Sequence, residues 1–213
     1  MSAQQGNPLA RFTQELIDFA RGERRGIRNP FVMVSVDPPI EKQVVTRLEE
    51  WTTPGDVGIL AEWEDVTDPR GTPVTVTSVR LDGLLPETTA FRTSTDLGPL
   101  ESVSSDSVER TLQRNLASEL VSELIKTHLG DGGVANDQTS VLVLLGLGGL
   151  YPFTRASELL DELDRRNVNA TVGVPFPGSV EGGRLCFFME DARHYYPAHR
   201  IDDKIVEGVL TDV

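Results

Sequence analysis

The chain has 213 residues, a length that can build one sizeable hydrophobic core but is too short for two large domains. Its formal net charge of −13 would repel a phosphate backbone, which argues against direct binding of nucleic acid. No apolar run approaches the roughly 18 residues that a membrane span needs, and the N-terminus lacks the apolar region of a secretory signal. We therefore expect one cytoplasmic domain over residues 1–213.

The N-terminal third predicts alternating helices and strands. Asn7 followed by Pro8 is typical of a helix start, and apolar residues then recur at three-to-four spacing. Residues 31–36 (FVMVSV) predict a buried strand, a helix is expected after Pro39, and residues 57–63 (VGILAEW) predict a second strand. Strand, helix and strand at this spacing predict a parallel βαβ unit.

Residues 66–106 differ from the rest of the chain in composition, because threonine, serine, proline, glycine and aspartate dominate. We expect a loop-rich insertion within the domain rather than a separate domain. Inside it, residues 74–81 (VTVTSVRL) alternate between polar and apolar side chains. That pattern predicts an edge strand or one arm of a hairpin.

The C-terminal half predicts a long helix over residues 107–129, then a strand over 141–145, a glycine turn and an amphipathic helix. A further strand is expected at 170–176, followed by residues 184–189 as its partner in a hairpin. Residues 195–201 predict either a last strand or an irregular return. The expected fold class is α/β: a mainly parallel sheet flanked by helices, with an antiparallel C-terminal edge hairpin.

The glycine turn at residues 146–149 is a candidate nucleotide site, because ligands gather at the carboxyl ends of strands in open α/β sheets. The dinucleotide fingerprint G-x-G-x-x-G is incomplete, however, since Tyr151 stands where the third glycine belongs. Tight turning and close packing are the favoured explanation of these glycines. A nucleotide-binding switch or an enzyme that uses this turn with Asp37 and Arg155 stays open as the alternative function.

Other chemical groups suggest no catalytic assembly. Cys186, the only cysteine, is flanked by apolar residues and is expected to be a small buried hydrophobe rather than a nucleophile. The three histidines form no metal-binding pair on a predicted helix. Asp37, the best-placed carboxylate, equally suits a helix cap, and the arginine-rich segment 21–28 fits either a solvated loop or a contact with DNA. We predict no catalytic residue, no cofactor and no metal ligand.

Two corners of the predicted sheet carry aromatic, proline, arginine and glycine residues. Each corner follows a strand, and the carboxyl ends of parallel strands lie at the same edge of a sheet, so we expect the two to lie side by side. Aromatic and arginine side chains are common anchors of protein interfaces. Packing of the aromatic residues into the core is the alternative. The candidate interaction residues are Tyr151, Pro152, Phe153, Arg155, Pro177 and Gly178.

Three segments resemble the BrxB family of small proteins from BREX phage-defence loci. They are residues 144–163 (LLGLGGLYPFTRASELLDEL), 174–188 (VPFPGSVEGGRLCFF) and 194–201 (HYYPAHRI). The family pattern is an apolar strand ending in G-x-G, a Y-P-F-x-R corner and a helix. A strand ending in F-P-G, a G-x-x-L-x-x-F strand and a tyrosine pair with a basic residue follow. Pro197 and His199 depart from that last motif.

The resemblance implies a non-catalytic accessory or scaffold subunit that acts through protein–protein contacts. BREX systems combine several proteins, among them a DNA methyltransferase, an ATPase and the alkaline-phosphatase-like protein PglZ. The resemblance therefore implies a PglZ-like protein as the first partner, with other BREX components as further partners. By position, the residues of the two corners would shape the characteristic surface of the family.

Overall fold

A computed structural model of the chain describes residues 6–24, 29–55, 58–97, 105–181, 184–187 and 198–210. The strands are β1 (Phe31–Val36), β2 (Thr75–Arg80), β3 (Ser140–Leu145), β4 (Thr171–Glu181), β5 (Arg184–Phe187) and β6 (His199–Ile205). The helices are α1 (Pro8–Ala20), α2 (Glu41–Trp51), α3 (Leu81–Leu84), α4 (Thr89–Leu97), α5 (Ser105–His128), α6 (Ala156–Arg165) and α7 (Glu207–Leu210). Across these ranges, no helix has the length and apolar character that crossing a membrane would require.

Five parallel strands form the main sheet in the order β2-β3-β4-β1-β6. The connection from β1 to β2 runs towards one edge and packs α2 on one face. The connections from β2 to β3 and from β3 to β4 run back and pack α5 and α6 on the other face. A right-handed crossover changes face when its direction of travel reverses. The strand order therefore explains why helices cover both faces, and the α/β prediction is confirmed.

The sheet separates two hydrophobic cores. The core under α5 and α6 includes Leu120 and Leu160, while the core under α1 and α2 includes Phe12 and Trp51. All residues of β1 and β3 are buried. Continuous apolar strands are expected where helices cover both faces of a parallel sheet.

Several predicted elements are confirmed. Asn7 caps α1, because its side-chain oxygen accepts hydrogen bonds from the amides of Leu9 at 2.9 Å and Ala10 at 3.2 Å. The helices and strands predicted around residues 107–129 and 141–145 are α5 and β3. The apolar residues that recur at helical spacing in α2 are all buried: Val44, Val45, Leu48 and Trp51.

The predicted strand at residues 57–63 is wrong, since residues 58–63 contain no strand. The strand that follows α2 is β2, which runs parallel to β1 but is separated from it by β3 and β4. The predicted parallel βαβ unit therefore does not form with residues 57–63 as its second strand. Packing against α2 is the reason. Leu60 is buried in the core under α2, and Nε1 of Trp63 donates a hydrogen bond of 2.8 Å to the carbonyl oxygen of Trp51.

The described part of residues 66–106 holds more regular structure than its composition suggests. It contains β2, which lies at the edge of the sheet as one of the two interpretations of residues 74–81 expected. It also contains α3 and α4, and the amide of Ala90 in α4 donates a hydrogen bond of 2.8 Å to Oε2 of Glu119 in α5. The insertion and the single domain stay predictions.

The predicted antiparallel edge of the sheet is wrong. The edge strands are β2 and β6, and both run parallel to their neighbours. Residues 178–181 of β4 do pair antiparallel with β5, but β4 lies inside the sheet, where it pairs with β1 as far as Pro177. This antiparallel pair therefore extends beyond the carboxyl end of the sheet and adds no edge to it.

The last strand of the chain is β6, which pairs with β1. The sequence predicted a strand or an irregular return at residues 195–201, and β6 contains residues 199–201 of that range. Residues 195–197 lie outside the described residues. The register between β1 and β6 shifts between Val34 and Val36.

Candidate functional site

The connections that follow β1, β2 and β3 meet at the carboxyl end of the sheet and line a cleft of about 330 Å³. The first residue of α2, the start of α3 and the glycine turn after β3 all contribute to it. The lining residues are Glu41, Lys42, Val45, Thr46, Arg80, Asp82, Gly146 and Gly149. The glycine turn therefore lines a cleft at the edge of the sheet where the sequence placed its candidate site.

The backbone of the turn explains two of its glycines. Gly146 has φ = +73°, in the left-handed region that favours glycine. The amide of Gly148 donates a hydrogen bond of 2.8 Å to Oε1 of Glu41, and a Cβ atom at Gly148 would overlap the Glu41 carboxylate. The interpretation of these glycines as residues for tight turning and close packing is confirmed.

The cleft is lined by two carboxylates, Glu41 and Asp82, and by two basic residues, Lys42 and Arg80. Burial raises the pKa of Glu41; the hydrogen bond from Gly148 opposes this rise and the charge of Asp82 adds to it. Arg80 donates two hydrogen bonds to Asp82, at 3.0 and 2.7 Å, and this pairing lowers the pKa of Asp82. A phosphate at the turn would meet an amide already bound to one carboxylate and a second carboxylate close by. This arrangement argues against the nucleotide-binding alternative.

The first predicted corner links the turn to α6. Pro152 is exposed, whereas Tyr151, Phe153 and Arg155 are half-buried. Phe153 packs against the core under α6, and the amide of Arg155 donates a hydrogen bond of 3.0 Å to Oε2 of Glu158. Phe153 is therefore anchored in the core, and both aromatic residues of this corner present part of their surface to solvent.

The second predicted corner is buried. Pro177 ends the pairing of β4 with β1, and Gly178 begins its pairing with β5. Both residues are buried, and a Cβ atom at Gly178 would overlap the carbonyl oxygen of Cys186 and the ring of Phe176. Both corners lie at the carboxyl end of the sheet, as predicted, but Pro177 and Gly178 shape the backbone there instead of presenting side chains.

Asp37 and Cys186 have structural environments. Asp37 is the N-cap residue of a short 3₁₀ helix over Pro38–Ile40, as the cap interpretation predicted, but its side chain makes no capping hydrogen bond. Instead, Nζ of Lys204 in β6 donates a hydrogen bond of 2.7 Å to Oδ1 of Asp37. Cys186 is buried and free, which confirms its prediction as a small buried residue.

The described arginines of segment 21–28 are paired with carboxylates. Arg21 lies 3.1 Å from Glu23, and Nε of Arg24 donates a hydrogen bond of 2.8 Å to Glu15. This neutralisation favours the solvated loop over a contact with DNA; residues 25–28 lie outside the described residues. In the part of the chain that the structure describes, no three histidine, cysteine, aspartate or glutamate residues are grouped to hold a metal ion.

Glu41 and Asp82 are site residues that the sequence patterns did not predict. Asp82 lies two residues beyond the end of β2, so its position after a strand was a usable signal, but that strand lay in a segment predicted to be mostly loop. Glu41 has no comparable motif. Its contact with Gly148 depends on how α2 packs across the sheet, which the local sequence does not determine.

Comparison with models of known protein families matches residues 93–201, about half of the 213 residues, to BREX protein BrxB. The matched residues include β3, the glycine turn, both corners and α6. Neither the curated proteins nor the solved structures contain a match to this chain. BrxB proteins are accessory components of BREX phage defence, and the family is not a known enzyme family. The extent of the match confirms the resemblance seen in the sequence: the chain belongs to the BrxB family.

Proposed function

We propose that this chain is a non-catalytic scaffold subunit of a BREX phage-defence system, acting in the cytoplasm through protein–protein contacts. Its membership of the BrxB family supports a role in BREX, and the family resemblance supports a PglZ-like protein as its main partner. The observation that carries the contact surface is the corner at residues 151–155. An aromatic residue, an exposed proline and an arginine stand there next to each other.

The corner is held in place from both sides, which favours a role in binding. On one side the Gly148 amide is bound to Glu41, and on the other the amide of Arg155 is bound to Glu158. A surface that is already ordered loses little conformational entropy when a partner binds. The half-exposed side chains of Tyr151 and Arg155 are of the types that dominate binding energy at protein interfaces.

The polar groups of the neighbouring cleft support a structural role over a catalytic one. Glu41 accepts the Gly148 amide, and Asp82 accepts two hydrogen bonds from Arg80. A general base must be within reach of a substrate proton, whereas these carboxylates are committed to backbone and side-chain partners of their own chain.

Capture of a co-expressed PglZ-like protein from the same locus tests the proposal. Tagged wild-type protein should retain it, and Tyr151→Ala and Arg155→Ala should each reduce the amount captured by about tenfold or more, because such residues contribute strongly at interface centres. Arg114→Ala is the matched control, since Arg114 is an exposed arginine on α5. Thermal unfolding of every variant separates lost binding from lost folding.

The possible results distinguish the partner from the surface. A soluble PglZ-like protein that never co-purifies with wild type would show that the partner is wrong. Equal capture by wild type and all three variants would keep the partner and show that the corner is not the contact surface.

A further inference from the structure

A second cleft, of about 540 Å³, opens at the amino end of the sheet, opposite the glycine turn. The segments that lead into three strands line it: Asn29 and Pro30 before β1, residues 136–138 before β3 and residues 167–169 before β4. Its volume lies within the range of about 300 to 1,000 Å³ that is typical of small-molecule sites. The cleft is separate from the site described above, because the two lie at opposite ends of parallel strands.

Asn29 is the residue of this lining that indicates a ligand. It is only 9% exposed, yet its side-chain amide has no hydrogen-bond partner in the part of the chain that the structure describes. The oxygen and nitrogen of that amide are not fully enclosed by protein, so they open onto the cleft. A buried amide without a hydrogen bond costs free energy, and native proteins pair nearly all such groups. The amide of Asn29 therefore offers an unpaired donor and an unpaired acceptor to the cleft.

Hydrogen bonds within the chain hold the walls of this cleft in place. Nδ2 of Asn136 donates a hydrogen bond of 3.2 Å to the carbonyl oxygen of Asn167. The backbone amide of Asn169 donates one of 2.8 Å to Oδ1 of Asn136, and Nε2 of Gln138 donates one to the carbonyl oxygen of Phe19 in α1. A site whose walls are already ordered loses little conformational entropy when a ligand binds.

The charges of the lining favour an uncharged ligand over an anionic one. Asp137 and Asp164 are acidic, whereas Arg24 is the one basic residue of the described lining. The guanidinium of Arg24 is itself bound to a carboxylate of α1. A phosphate in the cleft would therefore meet more negative than positive charge. Pro30 and Val168 add apolar surface to the walls, which suits a flat ring.

We propose that this cleft binds a small uncharged ligand of the adenine type, whose base edge pairs with the side-chain amide of Asn29. Adenine carries an amino donor beside a ring-nitrogen acceptor, and the amide of an asparagine pairs with both at once. Guanine presents two acceptors on the same edge, which would leave the amide oxygen of Asn29 unpaired. This site is independent of the proposed protein interface at residues 151–155, because it lies at the other end of the sheet.

Isothermal titration calorimetry with adenosine tests the proposal. Wild type should bind adenosine about tenfold or more tightly than inosine, in which a carbonyl oxygen replaces the amino donor. Asn29→Leu should weaken adenosine binding by about tenfold or more, since it keeps the size of the side chain and removes both hydrogen-bonding groups. Asn115→Leu is the matched control at an exposed asparagine of α5. Its affinity for adenosine should stay within about threefold of wild type.

Thermal unfolding separates lost binding from lost folding. Asn29→Leu should be at least as stable as wild type, because leucine costs less to bury than an amide without a partner. In NMR spectra of wild type, adenosine should shift the side-chain amide signals of Asn29 and Asn169. No binding of adenosine to wild type, equal affinity for inosine, or unchanged affinity in Asn29→Leu would overturn the proposal. Shifts centred on residues 146–149 would also overturn it and assign the ligand to the opposite end of the sheet.

Discussion

The amide of Gly148 and the carboxylate of Glu41 are joined by a hydrogen bond of 2.8 Å across 107 positions of the chain. The bond ties the turn after β3 to the first residue of α2. It holds the backbone next to the corner at residues 151–155, which carries the proposed interface. It also has an electrostatic cost, because burial and the charge of Asp82 disfavour the ionised form of Glu41.

Replacing Glu41 tests what this bond contributes. Glu41→Ala leaves the Gly148 amide without its acceptor and should lower the free energy of unfolding by about 1 to 2 kcal/mol. Glu41→Gln keeps an acceptor oxygen and removes the charge, so it should be within about 0.5 kcal/mol of wild type or slightly more stable. Urea unfolding measures both variants. Equal destabilisation by alanine and glutamine would contradict a role for the acceptor oxygen.

The raised pKa of Glu41 predicts a pH dependence of stability. The ordinary value is 4.5, and a higher pKa in the folded state means that the folded protein binds the proton more tightly. The resulting stabilisation is fully present below about pH 4.5 and is lost as the pH rises through the folded-state pKa. Unfolding of wild type and Glu41→Gln across this range should therefore favour the variant increasingly as the pH rises. A difference that does not change with pH would argue against the shift.

Gly148→Ala should destabilise the protein by about 1 to 2 kcal/mol, because the new Cβ displaces the Glu41 carboxylate and the hydrogen bond is lost. Gly149→Ala is the matched control in the same turn. A Cβ there would have its nearest neighbour, Cβ of Asp82, at 3.8 Å, so its effect should stay within about 0.5 kcal/mol. Comparable losses for the two variants in thermal unfolding would show that the turn tolerates no alanine for another reason.

Gly178→Ala should be more costly, at about 2 to 3 kcal/mol, because the new Cβ meets the backbone carbonyl of Cys186, which a side-chain rotation cannot relieve. Gly83→Ala provides the comparison. Its nearest neighbour, Cβ of Arg80, would be 3.8 Å away, and alanine is the better helix former at that site in α3. Chemical denaturation of both proteins checks the difference, and a stable Gly178→Ala protein would refute the close approach of β4 and β5.

Glu162 connects α6 to α5 and is 7% exposed. Burial alone would raise its pKa, but hydrogen bonds from Arg165, Arg166 and Ser118 outweigh burial and lower it. Glu162→Gln should therefore cost about 1 to 2 kcal/mol at neutral pH. Because the folded-state pKa is lowered, the advantage of wild type is present above about pH 4.5 and is lost as the pH falls through the folded-state pKa.

The exposed Glu109 on α5 supplies the control for this prediction. Glu109→Gln should change the free energy of unfolding by less than about 0.5 kcal/mol. Unfolding curves at neutral and acidic pH make the comparison. A Glu162→Gln loss that persists at acidic pH would show that packing, rather than the ionised carboxylate, is responsible.

Local sequence patterns were sufficient to predict most of the helices and strands. Asn7 and Pro8 mark the start of α1, and the spacing of Val44, Leu48 and Trp51 predicts α2, because a helix needs one continuous apolar face to pack. The segment at residues 57–63 shows the limit of such patterns. A short apolar run fits a strand or any other buried segment, and the packing of Trp63 on Trp51 decided the outcome.

The candidate site also has features that the sequence predicts and features that it does not. The position of the glycine turn and of the corner at residues 151–155 follows from the sequence, because both come directly after an apolar strand. The burial of Pro177 and Gly178 does not, since it depends on the antiparallel pairing of β4 with β5. The exposure of a side chain depends on all the residues that pack around it, including residues far away in the sequence.

The sequence by itself determined the α/β class, the main elements and the resemblance to the BrxB family, because periodicity, caps and motifs are local features of the chain. Only the tertiary structure decided the strand order, the place of β2 at one edge of the sheet and the contact of Glu41 with Gly148. These depend on the direction of each crossover connection and on groups far apart in the chain. No short pattern of residues encodes such long-range pairings.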